Sequence, residues 1–236
     1  MILLIDAGNS RIKWTLQGEK HMGVLPVEEA GNLLGQLGDV QGIREIWASN
    51  VAGELIAQTI RDAAAQLAVE VHFIVAQKSQ CGVHNGYANP AQLGCDRWAA
   101  MIAAWQLVKG TCLVVSSGTA TTIDALSASG EFQGGLILPG VTLMRHSLYG
   151  ATAQLHAAPG EYAVFPKNTA DALYSGALQA SCGAIDRQYA QLEDDSAPIV
   201  LSGGAAAVLR DRLKQPLLVV DNLVLQGLYL ISQEKK

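Results

Sequence analysis

The feature that most constrains this chain is a strand–turn–strand pattern that begins twice. The first copy runs from the apolar residues 2–5, through the turn residues 7–10, to an alternating apolar segment at 12–16. The second copy runs from the apolar residues 112–115, through Ser116-Ser117-Gly118, to a β-branched segment at 119–126. A hairpin that recurs within one chain predicts a duplicated fold with two similar halves.

The segments that follow each hairpin repeat the same order of strands and helices. In the first half, strands are predicted near 23–27, 43–48 and 71–75, and helices over 52–67 and 96–107. In the second half, strands are predicted at 132–138, 199–201 and 217–220, and helices over 141–155 and 169–192. Both halves follow a βββαβα order. We therefore expect an α/β protein of two lobes, residues 1–110 and 111–236, with a ligand-binding cleft between them.

Charge and composition exclude several classes of protein. The chain has 16 Lys and Arg against 21 Asp and Glu and no basic run, which argues against a nucleic-acid surface. The four cysteines have neither zinc-ligand nor disulfide-framework spacing. No apolar stretch is long enough to span a bilayer, and no basic segment precedes the apolar N-terminus. We therefore expect a cytoplasmic protein without a membrane partner.

The first turn, from Asp6 to Lys13, carries groups that suit the phosphates of a nucleotide. Gly8 permits a close backbone approach, and Asn9 and Ser10 supply polar side chains and amides. Lys13 can neutralise phosphate charge, and Asp6 is the candidate for holding Mg²⁺, directly or through water. Turn residues also recur for backbone reasons alone, so an ordinary capped hairpin explains this motif equally well.

The second turn, residues 116–124, repeats the combination of glycine and hydroxyl side chains. Gly118-Thr119 corresponds to Gly8-Asn9, and a hydroxyl-rich glycine turn suits the γ-phosphate of ATP. A Thr-rich edge strand would explain Thr121 but not this correspondence. We therefore assign a phosphate-binding function to Thr119 and a structural role to Thr121, and the two turns together predict ATP binding.

The segment Gly94-Cys95-Asp96-Arg97 lies where a long loop, residues 77–93, enters a predicted helix. A carboxylate at this point, Asp96, can accept a proton from a bound hydroxyl, while Arg97 and the helix amides hold an anionic substrate group. A kinase needs such a base. An N-cap role for Asp96 would explain the same position without any chemistry.

Four segments, in this order, resemble the type III pantothenate kinases. They are residues 6–10 with Lys13, then Gly94-x-Asp96-Arg97, then Gly118-Thr119-Ala120-x-Thr122-x-Asp124, then residues 134–140, followed by Asn168-Thr169 and Gly203-Gly204. The resemblance covers nearly the whole chain. It implies the fold of the acetate and sugar kinase, Hsp70 and actin superfamily, with two ribonuclease-H-like lobes and ATP between them.

The resemblance also implies a reaction, in which ATP phosphorylates the primary hydroxyl of pantothenate to give 4′-phosphopantothenate and ADP, the first step of coenzyme A synthesis. Asp96 would be the general base. ATP with Mg²⁺ would bind Asp6, Ala7, Gly8, Asn9, Ser10, Arg11, Ile12, Lys13 and Thr119. Pantothenate would bind Tyr87, Gly94, Cys95, Asp96, Arg97 and Thr169.

Three of these assignments leave alternatives open. Tyr87 could be a half-buried loop aromatic, and Thr169, which follows Asn168, could cap the long helix. Arg97 suits either the pantothenate carboxylate or the charge of the transition state. The resemblance also implies a homodimer with the substrate site near the interface.

The chain departs from the family at Ser116, where the family usually has an Asp that is associated with a bound potassium or ammonium ion. A serine hydroxyl is a much weaker cation ligand than a carboxylate. The departure weakens the expectation of monovalent-cation dependence, although Asp124 or carbonyl groups could compensate.

The actin-like fold also hosts proteins without kinase activity, so an ATP-binding regulatory or accessory protein is the alternative function. A pure nucleotide switch does not need the Gly94–Arg97 loop, which separates the two hypotheses. A dinucleotide-dependent dehydrogenase fits poorly, because Gly8 is followed by no second and third glycine at the required spacing.

Overall fold

Two mixed five-stranded sheets with the same strand order form the framework of this chain. The computed structural model describes residues 1–19, 21–38, 41–151 and 158–234. The chain divides into a first unit of Met1–Leu107 with Asn222–Lys236 and a second unit of Val108–Asp221. The predicted division after residue 110 therefore differs from the structure at the C-terminus, where residues 222–236 group with the first unit.

The strands of the two five-stranded sheets correspond one to one. Those of the first unit are β1 Ile2–Ala7, β2 Arg11–Leu16, β3 Met22–Pro26, β4 Glu45–Asn50 and β5 Glu70–Phe73, with a small hairpin of β6 Ser79–Gln80 and β7 Val83–His84. Those of the second unit are β8 Cys112–Ser117, β9 Ala120–Leu126, β10 Phe132–Pro139, β11 Ile199–Ser202 and β12 Leu217–Val219.

The spatial orders are β3-β2-β1-β4-β5 and β10-β9-β8-β11-β12. In each sheet the first strand pairs antiparallel with the second and parallel with the fourth. This arrangement confirms the α/β class and the duplicated, hairpin-led pattern of two ribonuclease-H-like units.

The described helices are α1 Leu33–Leu37, α2 Glu54–Gln66, α3 Cys95–Val108, α4 Val141–Ala151, α5 Thr169–Tyr189, α6 Ala206–Arg210 and α7 Leu223–Gln233. Residues 152–155, the end of the helix predicted over 141–155, lie outside the described residues. Short 3-10 turns occupy Val27–Asn32 and Pro90–Gln92. None of the helices in the described ranges has the length and apolarity that crossing a membrane requires.

Each unit has its own apolar core. In the first unit the alternating residues Leu3 and Ile5 of β1 pack with Ile12 of β2, Ile46 of β4 and Ile60 of α2. In the second unit, Leu113 and Val115 of β8 pack with Ile123 of β9, Leu178 of α5 and Leu201 of β11. The period-2 pattern of the strands therefore directs one face of each sheet against a helix.

The C-terminal helix α7 belongs to the first unit because its backbone lies directly against α3. A Cβ atom on Gly227 would lie 1.9 Å from the carbonyl oxygen of Ala99, so a side chain at this position is excluded. Helix α7 also contacts β1 and β4. Helix α7 follows the second half in the sequence, so nothing in the sequence indicated that it packs on the first unit. This is why the predicted division differs.

The Gly227 contact can be tested by adding one methyl group. Gly227→Ala should lower the free energy of unfolding by about 2–3 kcal/mol, because the methyl must displace helix backbone rather than a flexible side chain. Gly183→Ala on α5 is the matched control, since no atom lies within 4 Å of its added Cβ. The control should stabilise the protein by roughly 0.5–1 kcal/mol through helix propensity. Equal urea midpoints for the two variants would contradict the α3–α7 contact.

Candidate active site

Strands β1 and β4 are parallel neighbours, so the polar residues near their carboxyl ends lie at the same edge of the sheet. Asp6 of β1 lies opposite Lys13 of β2 on one side and Ser49 of β4 on the other. Asp6 and Lys13 are half-buried, and Ser49 is fully buried. The pairing register therefore places an acid, a base and a hydroxyl together.

The Asp6 carboxyl is electrostatically unusual. Burial raises its pKa to about 6, the attraction of Lys13 opposes this rise, and repulsion from Asp96 adds to it. The influence of Asp96 means that the first turn and the start of α3 are close enough for their charges to interact. The structure thus brings together two of the predicted site residues that are 90 positions apart.

The turn between β1 and β2 is closed by a hydrogen bond from the Gly8 N–H to the Arg11 carbonyl at 3.0 Å. The Gly8 amide therefore serves the turn itself. Asn9, Ser10 and Arg11 are exposed at its tip, where their polar groups can meet a ligand. The side chains of Ala7 and Ile12 are buried in the core, so their predicted contact with a nucleotide is restricted to backbone atoms.

Helix α3 begins at Cys95, and this start positions Asp96. The Gly94 carbonyl accepts the Trp98 N–H at 3.0 Å, and Asp96 Oδ1 accepts the Arg97 N–H at 2.8 Å. A Cβ on Gly94 would lie 2.7 Å from Asp96 Oδ1, so glycine makes room for the carboxylate. Asp96 lies inside the first helical turn and not at the N-cap position, which contradicts the N-cap interpretation.

Cys95 ties the start of α3 to the end of β4. Its Sγ lies 3.3 Å from Ser49 Oγ and donates to the Asn50 carbonyl at 3.5 Å. Burial raises the pKa of the Cys95 thiol, which favours the neutral form. Ser49 and Asn50 were missed in the sequence. The only sign of them in the sequence was that two polar residues follow the apolar residues of a predicted strand.

Arg97, which follows Asp96 in α3, contacts Tyr87 of the preceding loop. Arg97 is only 6% exposed, and its Nη1 donates to the Tyr87 hydroxyl at 3.3 Å. Tyr87 is half-buried, as expected for a loop aromatic with a structural role. It also contacts Arg97, a predicted site residue. A cation held rigidly beside a phenol suits recognition of a carboxylate.

The second turn lies in the second unit and is held by its own hydrogen bonds. The Gly118 N–H donates to the Ala120 carbonyl at 2.9 Å, and the buried hydroxyls of Ser117 and Thr121 are 2.9 Å apart. Thr119 is exposed at the tip. Thr121 therefore has a structural role, while Thr119 is placed where it can meet a ligand.

Two glycines from other segments approach this second turn very closely. A Cβ on Gly140 would lie 2.1 Å from the Gly118 carbonyl oxygen, and one on Gly203 would lie 2.3 Å from the Ser117 carbonyl oxygen. Gly203 also has a φ of +101°, which side chains rarely adopt. These contacts give a physical role to glycines that sequence reasoning recognised only as parts of a motif.

Ser116 lies half-buried on β8, opposite Thr122 of β9 and Ser202 of β11. Asp124 is 1% exposed and lies farther along β9. Within residues 1–19, 21–38, 41–151 and 158–234, no cluster of three or more His, Cys, Asp or Glu side chains could hold a metal ion. The neighbours that the strand register gives Ser116 are hydroxyl residues.

Thr169 is the first residue of α5, and its side chain is exposed. The cap of this helix is Asn168, whose Oδ1 accepts the Asp171 N–H at 2.9 Å. The interpretation of Thr169 as the helix cap is therefore wrong. Its hydroxyl is not used by the cap and can serve a ligand.

Solved structures with similar folds cover almost the whole chain. A protein from Campylobacter jejuni described as a Baf family transcriptional activator matches 98% of both chains, with a TM-score of 0.64 and 22% identity. The activator of 2-hydroxyisocaproyl-CoA dehydratase from Clostridium difficile, with bound ADPNP, covers 98% of this chain and 94% of its own, with a TM-score of 0.53 and 11% identity. These likenesses show that the chain shares its fold with both proteins over almost its whole length.

Proteins found by sequence similarity share far more identical residues with this chain. The type III pantothenate kinase of Aromatoleum aromaticum is 48% identical over 238 residues, which cover 99% of this chain and 98% of the relative. That of Nitrosospira multiformis is 43% identical over 240 residues, which cover 99% and 92%. The family model for type III pantothenate kinase matches residues 2–191. With this site geometry and these relatives, the chain belongs to the type III pantothenate kinase family.

Proposed function

We propose that this protein transfers the γ-phosphoryl group of ATP to the primary hydroxyl of pantothenate, giving 4′-phosphopantothenate and ADP. The observation that carries the proposal is the contact of Cys95 Sγ with Ser49 Oγ at 3.3 Å, which joins the start of α3, and with it the candidate base Asp96, to the residue beside Asp6 in the candidate phosphate-binding turn. A phosphotransferase must bring these two functions together. Membership of the family supplies pantothenate as the acceptor.

In the proposed mechanism, Asp96 orients the acceptor hydroxyl and takes its proton. The Arg97 N–H holds Asp96 Oδ1 at 2.8 Å, which fixes the direction of the carboxylate. The Arg97 guanidinium, held beside Tyr87, binds the pantothenate carboxylate. Thr169, exposed at the start of α5, stays a predicted pantothenate ligand. Because the reacting groups are held in place, positioning supplies most of the rate.

The phosphates of ATP would be held by the Asp6–Lys13 segment. Thr119, exposed at the tip of the second turn, stays a predicted ATP ligand. Lys13, opposite Asp6 in the register, neutralises phosphate charge. Asp6 would hold Mg²⁺, directly or through water, because a divalent cation would offset the desolvation of this carboxylate and its repulsion by Asp96. When bound, Mg²⁺ neutralises charge on the phosphates.

We further propose that the reaction has no strict requirement for a monovalent cation, because Ser116 lies in register with hydroxyl residues and is a weak cation ligand. A homodimer is supported by exposed apolar side chains on the second unit, where Ile137, Val164 and Phe165 are 65%, 63% and 85% exposed. The cytoplasm is the proposed location, since the reaction consumes ATP.

The acceptor is tested by measuring ADP release in a coupled assay with pantothenate, with a sugar and with no acceptor. We expect release that depends on pantothenate alone and is similar in potassium and sodium buffers of equal ionic strength. ADP release that ignores pantothenate would instead favour an ATP-binding regulatory protein of the same fold. Strict dependence on potassium would contradict the proposal about Ser116.

The role of Asp96 is tested by Asp96→Asn, which keeps the shape of the side chain but cannot accept the proton. Turnover should fall about a hundredfold or more, the usual scale of general base catalysis, while ATP and pantothenate still bind. Asp62→Asn, an exposed position on α2, is the control and should retain full activity. Turnover of Asp96→Asn close to that of the wild type would refute the role.

Asp6 should make the stability of the ligand-free protein depend on pH. Its pKa rises from 3.8 unfolded to about 6 folded, so the folded state holds the proton more tightly and stability is lost as pH rises through this range. Asp6→Asn should therefore unfold at higher urea at pH 7, by up to about 3 kcal/mol, while ATP affinity falls. The stability gain should vanish near pH 4. An equal gain at pH 4 and pH 7 would contradict the argument.

A further inference from the structure

One buried amide organises the loop that carries Tyr87. Asn85 is 1% exposed, and its Oδ1 accepts the Tyr87 N–H at 3.0 Å. Its Nδ2 donates to the Pro90 carbonyl at 3.2 Å. The side chain of Asn85 therefore bonds to the loop at Tyr87 and again at Pro90. It needs both the Oδ1 acceptor and the Nδ2 donor to do so.

Hydrogen bonds between Asn85 and Lys78 fix the backbone of Asn85. The Asn85 N–H donates to the Lys78 carbonyl at 2.9 Å, and Lys78 Nζ donates back to the Asn85 carbonyl at 3.3 Å. These bonds extend the β6–β7 hairpin. The hairpin is in turn held by α3, where Trp98 Nε1 donates to Gln80 Oε1 at 2.9 Å.

The same hairpin is also anchored to the C-terminal helix. The Cys81 N–H donates to Glu234 Oε1 at 2.7 Å, and a Cβ on Gly82 would lie 2.8 Å from Trp105 Nε1. The loop is therefore built on two helices of the first unit. Asn85 connects this hairpin to Tyr87 through its hydrogen bond to the Tyr87 N–H.

We propose that Asn85 is a positioning residue for pantothenate binding, which acts by holding Tyr87 against Arg97. The Tyr87 hydroxyl accepts from Arg97 Nη1 at 3.3 Å, and Arg97 is buried, so a displaced loop leaves this cation differently oriented. Asn85 itself is 1% exposed and bonds to the Tyr87 N–H, so it acts through that residue. The inference rests on the proposed function, because the site it shapes is the proposed pantothenate site.

Asn85→Asp tests the proposal with the least change of shape. The variant keeps the Oδ1 acceptor but replaces the Nδ2 donor with an oxygen that faces the Pro90 carbonyl. The KM for pantothenate should rise about tenfold, since a buried carbonyl loses its partner and the loop must shift. The kcat and the KM for ATP should stay close to the wild-type values, because Asp96 and the Asp6 turn are not touched.

Asn89→Asp is the matched control in the same loop. Asn89 is exposed, and the bond that it makes, from the Ala91 N–H to Oδ1 at 3.2 Å, survives the change. Its KM for pantothenate should equal that of the wild type. If Asn85→Asp does not fold, Asn85→Ser replaces it, because serine can still accept the Tyr87 N–H but does not reach Pro90.

A double-mutant cycle with Tyr87→Ala separates positioning from general loop damage. If Asn85 acts through Tyr87, Asn85→Asp should add little to the KM for pantothenate once Tyr87 is removed. A tenfold rise in both backgrounds, or none in either, would overturn the proposal. A wild type that makes no 4′-phosphopantothenate would overturn the proposed function and this inference with it, whereas an active wild type with an unaffected Asn85→Asp overturns the inference alone.

Discussion

The site depends on a carboxylate that the fold holds in an unfavourable place. Asp6 is desolvated and repelled by Asp96, and the attraction of Lys13 does not cancel these effects, since the pKa is still raised. A protein selected for stability alone would not keep such a group. Its position suits a ligand that brings positive charge, which agrees with the proposal that a cation accompanies the nucleotide at this turn.

Close backbone approach, which glycine permits, organises the rest of the structure. Gly94 makes room for the Asp96 carboxylate, Gly140 and Gly203 lie against the second turn, and Gly227 lets α7 lie on α3. At Gly140, Gly203 and Gly227 the nearest atom is a backbone carbonyl oxygen, which cannot move aside as a flexible side chain can. Within each unit, these are contacts that a single methyl group would disturb.

The sequence predicted the features that are local and missed those that are not. The apolar run at 2–5, the turn residues after it and the alternation at 12–16 predicted the first hairpin, and the start of α3 was predicted to within one residue. The packing of α7 on the first unit could not be predicted, because it depends on contact between segments more than 100 residues apart. Ser49 was missed for the same reason, since only the parallel pairing of β1 with β4 places it beside Asp6.

The duplication explains the departure at Ser116 in physical terms. Asp6 and Ser116 each stand two residues before the turn glycine, and each lies opposite a serine of the parallel strand, Ser49 or Ser202. They differ across the hairpin, where Asp6 faces Lys13 and Ser116 faces Thr122. A carboxylate at 116 would be desolvated without an opposing basic residue in the register and would need a bound cation. The neutral hydroxyl of Ser116 needs no bound cation, so the second unit has no charge at this position that must be neutralised.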